Sequence, residues 1–96
     1  MNIGDIVRTT YFDSVRLHRY DPIAHVDRRG KAFFFSCNEV GIVIEKKLVT
    51  VLASGNKVES LDKYYNDMYV WSILTQQGKG YILMHADTIS KYLTRV

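Results

Sequence analysis

The chain predicts an all-β fold, a small antiparallel sheet curled into a barrel. Three observations carry this. The stretches Gly4-Asp5-Ile6-Val7-Arg8 and Val40-Gly41-Ile42-Val43-Ile44-Glu45 each set a glycine before β-branched residues that run into a charge. Seven Tyr, four Phe and one Trp among 96 residues are a rich aromatic share, and aromatic and β-branched side chains favour strands. Glycine-bearing turn signals separate the apolar runs, and helical periodicity is nearly absent.

Each element follows in order. Ile3 to about Phe12 reads as a first strand, continued by Thr9-Thr10-Tyr11-Phe12. From Asp13 to Lys31 the period breaks down, with turn signals at Asp21-Pro22 and Arg28-Arg29-Gly30-Lys31. A connection this long is uncommon in a compact domain and is often functional. Ser14–Tyr20 within it suits a short strand or a helical turn.

Ala32–Cys37 is an apolar-aromatic run and reads as a strand, turned by Ser36-Cys37-Asn38-Glu39. Val40–Lys46 and Leu48–Ala53 read as two strands joined by a tight turn near Lys46-Lys47. Ser54-Gly55-Asn56 is a turn and Lys57–Leu61 a returning strand. Asp62–Asp67 reads as a loop and Met68–Thr75 as a strand centred on Trp71. Gln76–Gly80 is a hairpin loop, and Tyr81–Ala86 the return strand. Asp87–Tyr92 forms a helical turn with Asp87 as N-cap, and Ile89 and Leu93 share a face that caps the barrel. Ile6, Ile42, Ile44, Val51 and Trp71 are the expected core, although a one-residue slip would invert the inward face.

The order Gly4-Asp5-Ile6-Val7-Arg8, Gly41-Ile42-Val43-Ile44-Glu45 and Val49-Thr50-Val51-Leu52 resembles the small SH3-like barrels encoded by bacteriophages. In these, glycine-aspartate opens the first strand, a glycine opens the second, and a V-x-V-L pattern forms the third. The match covers about half of the chain. The resemblance implies a small SH3-like antiparallel barrel, here with a long first loop and a short C-terminal helical turn. It also implies a phage source and a role in binding rather than catalysis.

Composition bounds function. Ninety-six residues suit one domain, residues 1–96. Thirteen Lys and Arg against ten Asp and Glu leave a net charge of +3, short of the clear basic stripe of a dedicated nucleic-acid binder. The one cysteine, Cys37, follows a run of Phe and is expected to be a buried small hydrophobe in a reducing compartment. No apolar run approaches the roughly 20 residues of a membrane helix, and the start lacks a leader pattern. The expected location is the cytoplasm, that of the host cell if the protein is phage-encoded.

No nucleophile elbow, phosphate loop, dinucleotide fingerprint or zinc-protease motif occurs, so no enzyme and no cofactor are expected. Cys37 with His18 or His25 could be drawn as nucleophile and base, but buried cysteine and surface histidine explain them more simply. His18, Asp21, His25 and Asp27 lie close in sequence but match no zinc spacing, so no metal is expected.

Two binding surfaces are expected. Phe33, Phe35, Tyr64, Tyr65 and Tyr69 supply aromatic area of the kind that dominates protein contacts. A protein partner is the first reading, and a homodimer through the Phe strand or the Tyr hairpin is consistent with it. The alternative is nucleic acid on the loop 16–31. There Arg16, Arg19, Arg28, Arg29 and Lys31 would meet phosphates and Tyr20 would stack on a base.

Overall fold

The computed structural model describes residues 1–10, 13–28, 30–51, 55, 57 and 67–96. Seven strands form one antiparallel sheet. They are β1 (Ile6–Thr9), β2 (Ser14–His18), β3 (Ala32–Ser36), β4 (Gly41–Leu48), β5 (Met68–Thr75), β6 (Gly78–His85) and β7 (Leu93–Arg95). Their spatial order is β3-β2-β6-β5-β4-β1-β7. The sheet curls strongly into a half-barrel, with a C-terminal 3-10 turn at Ile89–Lys91 and a second at Val26–Arg28. Among the described residues no helix is long and apolar enough to cross a membrane.

The curl comes from the β2–β3 hairpin. It pairs fully within itself, from Ser14↔Ser36 to His18↔Ala32, but meets β6 at the single pair His18↔Tyr81. The hairpin therefore folds across the inner face of the other five strands. Glycine permits the two closest approaches. A Cβ on Gly80 would stand 2.7 Å from Cβ of Leu17, and one on Gly41 would stand 2.7 Å from Cγ2 of Ile73.

Between hairpin and sheet lies the main core. Val15, Leu17, Phe33 and Phe35 of the hairpin pack with Val7, Val43, Trp71, Ile73, Ile82, Ile89 and Leu93. Full burial of side chains this large stabilises by roughly 1.5–3 kcal/mol each. The Trp71 indole N–H donates to the Met84 carbonyl at 3.0 Å, so its polar atom is satisfied inside. Gln77, in the β5–β6 turn, reaches the hairpin edge. Its Nε2 donates to the Phe34 carbonyl at 2.7 Å and to Glu39 Oε1 at 2.8 Å.

Several expectations are corrected. Of the expected core, Trp71 is buried but Ile6, Ile42, Ile44 and Val51 are exposed. Val7 and Val43, one residue along, point inward instead. The first strand begins at Ile6, not Ile3, and its expected end at Tyr11-Phe12 lies outside the described residues. Lys46-Lys47 is no turn, because β4 runs through it to Leu48. Beyond it Val51 bridges Lys57, while the rest of the expected 48–53 and 57–61 strands, at 52–53 and 58–61, lies outside the described residues. The β5–β6 loop is only Gln76-Gln77. Asp87 is not an N-cap, since Thr88 holds that position without a side-chain bond. Cys37 is exposed, because β3 ends at Ser36 and the thiol sits in the following turn.

Candidate functional site: an apolar outer face

The residues expected to bind fall into three groups. Phe33 and Phe35 are buried in the main core, so they offer nothing to a partner; the alternation of β3 turns Phe34 outward instead. Tyr69 is half-buried against Trp71, ring centroids 5.6 Å apart, with the Lys46 ammonium 4.8 Å from its ring. Tyr64, Tyr65 and Arg29 lie outside the described residues.

The basic segment is partly self-engaged. The Arg19 guanidinium lies 4.2 Å from the Phe33 ring and donates to the Gln77 carbonyl at 2.9 Å. Arg28 covers the Tyr20 ring at 4.7 Å, and the His25 ring meets the same tyrosine at 5.9 Å. Arg16 and Lys31 are exposed, and Arg16 stands directly opposite Phe34 in the hairpin.

Asp21 is committed to structure. Its Oδ1 accepts from the Ile23 and Ala24 amides at 2.8 and 3.2 Å, and its Oδ2 pairs with the Lys47 ammonium at 2.7 Å. Burial works to raise this carboxyl. The Lys47 ammonium and the two amides outweigh it and hold Asp21 below its ordinary 3.8. The same bond raises Lys47 above 10.5. Among the described residues no group of three or more His, Cys, Asp or Glu is arranged to hold a metal.

The feature that sequence reasoning missed lies on the outer face of the sheet. Ile6 pairs with Ile42, Ile42 with Leu74, and Leu74 with Lys79. Beyond Ile6, the Val96 amide donates to the Ile6 carbonyl at 2.8 Å and continues the row. Directly paired residues share a face. Four apolar side chains therefore form one unbroken line across neighbouring strands, closed at one end by Lys79.

A second line crosses the first at Ile42. Ile44 lies two residues on in β4, and Val40 lies two residues back, just before the strand begins at Gly41. All six are open to solvent, with exposures from 38% for Ile44 to 70% for Val96. The β-bulge between Val43 and Glu45 adds Ile44 to this face as an extra residue. Antiparallel sheets commonly turn polar residues to water on their outer side. Here one end of the outer side is aliphatic and exposed.

The polar border of this patch is cationic. Arg8, two residues from Ile6, faces the same way and is exposed. Lys79 stands beside Leu74, its ammonium 5.0 Å from the Tyr81 ring. The nearby carboxylates are half-buried and occupied. Asp5 accepts from the Asn2 amide at 2.8 Å, and Glu45 accepts from the Ser72 hydroxyl at 3.0 Å.

Comparison with protein-family models, curated proteins and solved structures finds no match. The site therefore stands on its geometry alone.

Proposed function

We propose that this protein is a non-enzymatic binding module whose partner is another protein, held on the outer face centred on Ile42. The observation that carries the reading is the crossing of two exposed aliphatic lines at Ile42. Contiguous apolar patches rimmed by polar residues mark interaction sites, whereas single exposed apolar residues do not. A rigid sheet presents these side chains without the ordering cost of a loop. The finer identity, an SH3-like barrel of phage source that modulates a host or phage protein in the cytoplasm, belongs to the same proposal. It rests on the strand motifs at Gly4, Gly41 and Val49.

The test is a comparative pull-down from nuclease-treated lysate. A partner retained by the wild type and by Phe34→Ser, but lost from Ile42→Thr/Leu74→Thr, is the expected result. Equal retention by all three proteins overturns the assignment of this face.

A second reading has one observation of its own. Arg16 and the exposed Phe34 stand opposite each other on the outward side of the hairpin, a cation beside an open ring. That pairing suits single-stranded nucleic acid, where bases stack on aromatics and phosphates meet Arg. The expected signature is binding that collapses with salt and with Phe34→Ser. No shift of DNA or RNA at low salt removes it.

A further inference from the structure

We infer that the occupant of the Ile42 face is an apolar segment of another protein bordered by carboxylates, and not a second copy of this chain. The inference rests on the protein-binding reading above and names the chemistry of the partner. Its basis is the sign of the exposed charge around the patch. The aliphatic row Val96–Ile6–Ile42–Leu74 ends at Lys79, and Arg8 stands beside Ile6 on the same face. Lys79 is bonded to the Tyr81 hydroxyl and feels the Glu45 carboxylate only through space, and both raise it above 10.5. Asp5 is held by the Asn2 amide and lies 4.0 Å from Arg95, and Glu45 is bonded to Ser72.

A symmetric dimer through this face would bring Arg8 and Lys79 of both copies into one interface. A two-fold axis places the same patch against itself. Like charges set against each other oppose association, so self-docking is disfavoured by the very residues that border the apolar area. An acidic, apolar segment satisfies both requirements at once. Its aliphatic side chains cover Ile6, Ile42 and Leu74, and its carboxylates meet Arg8 and Lys79.

The partner is not the chain's own turn at residues 20–24. That turn is anchored to Lys47 and covers Val49, Met68 and Val70. In the β4–β5 ladder Lys47 pairs with Val70, at the opposite end from Ile42↔Leu74.

The experiment titrates two peptides into full-length protein carrying methyl-labelled Ile. In one peptide Leu alternates with Glu; in the other Leu alternates with Lys. Chemical shifts of the Ile6, Ile42 and Ile44 methyls report the face, and light scattering reports the mass. We expect the acidic peptide to move these methyls at about tenfold lower concentration than the basic one. Arg8→Glu/Lys79→Glu should reverse the order. If both peptides move the methyls equally, the acidic partner is wrong and the docking face survives. If neither moves them, both readings fall. A dimer mass that drops to monomer in Ile42→Thr/Leu74→Thr would show a second copy on the face and overturn the inference alone.

Discussion

One face of the sheet is treated in two ways. At one end, the outward residues Met68 and Val70 of β5 are buried, with Val49, Ile23, Tyr81 and Leu83 packed around them. The cover is the turn after Tyr20, fixed by the Asp21–Lys47 bond and by the Ile23 and Ala24 amides on Asp21. At the other end, Leu74 of the same strand and Ile42 of the same neighbour lie open. Both ends carry outward apolar residues of β5, and the turn after Tyr20 lies over those of one end. The covered end shows how this fold hides outward aliphatics when it hides them in cis. At the open end Ile6, Ile42 and Leu74 face solvent, which is the area the proposed partner would cover.

The largest expected effect separates the two ends directly. Val70→Asp buries a carboxylate in an apolar cluster beside Lys47, a cation already bonded to Asp21, and should cost upwards of about 3 kcal/mol, enough to unfold much of the population. Ile42→Thr keeps the β-branch on an exposed site and should stay within about 0.5 kcal/mol. Urea melts of the two variants make the measurement. Similar losses would mean that the open end is as closed in solution as the covered one.

Next in size is the anchor of the covered end. Asp21→Asn should cost about 1 kcal/mol, kept small because the Lys47 side chain is largely in solvent. The pH dependence has a definite sign. Asp21 has a lowered folded value, so its contribution is full above 3.8 and is lost as pH falls through that lower value. Lys47 is raised, so its share is present below 10.5 and is lost as pH rises through its folded value. Thermal melts from neutral to strongly acid pH should show wild type and Asp21→Asn converging in acid. A constant gap would remove Asp21 from the account. Ile42→Thr/Leu74→Thr titrates nothing and should show no such convergence.

The smallest effect concerns the open end alone. An apolar fluorescent dye should brighten with the wild type and less with Ile42→Thr/Leu74→Thr, at unchanged melting temperature. Equal brightening would place the dye, and the apolar area, elsewhere.

The existence of most strands was legible in the sequence, and the reason the faces were not is instructive. In β1 and β4 the successive pairs Ile6/Val7 and Ile42/Val43 are both aliphatic, so alternation offers no polar residue to mark the outside. The expected core took Ile6, Ile42 and Ile44, and the structure buries Val7 and Val43. That same ambiguity is the trace the site leaves in sequence, since strands apolar on both sides need two covers. Phe33-Phe34-Phe35 posed the same question, and the hairpin buries the outer two.

Other features depend on distant partners. β7 exists because Leu93–Arg95 pairs with β1, at the far end of the chain. Ser14–Tyr20 suits a short strand or a helical turn by sequence, and register with β3 makes Ser14–His18 the strand β2. Lys46-Lys47 looks like a turn until its partners are known. One ammonium lies 5.0 Å from the Trp71 ring, and the other bonds Asp21.

The bulge in β4 has a consequence for how this chain tolerates change in length. Val43 pairs with Ile73 and Glu45 with Ser72, so the ladder on either side of Ile44 is already in phase without it. Ile44 is thus the spare residue of its strand. Losing it would leave the inward and outward assignments of Val43 and Glu45 as they are, whereas a one-residue loss in β6, which has no bulge, would turn the rest of that strand over. A single-residue deletion there would trim the aliphatic area and straighten the strand, with the fold's pairing untouched.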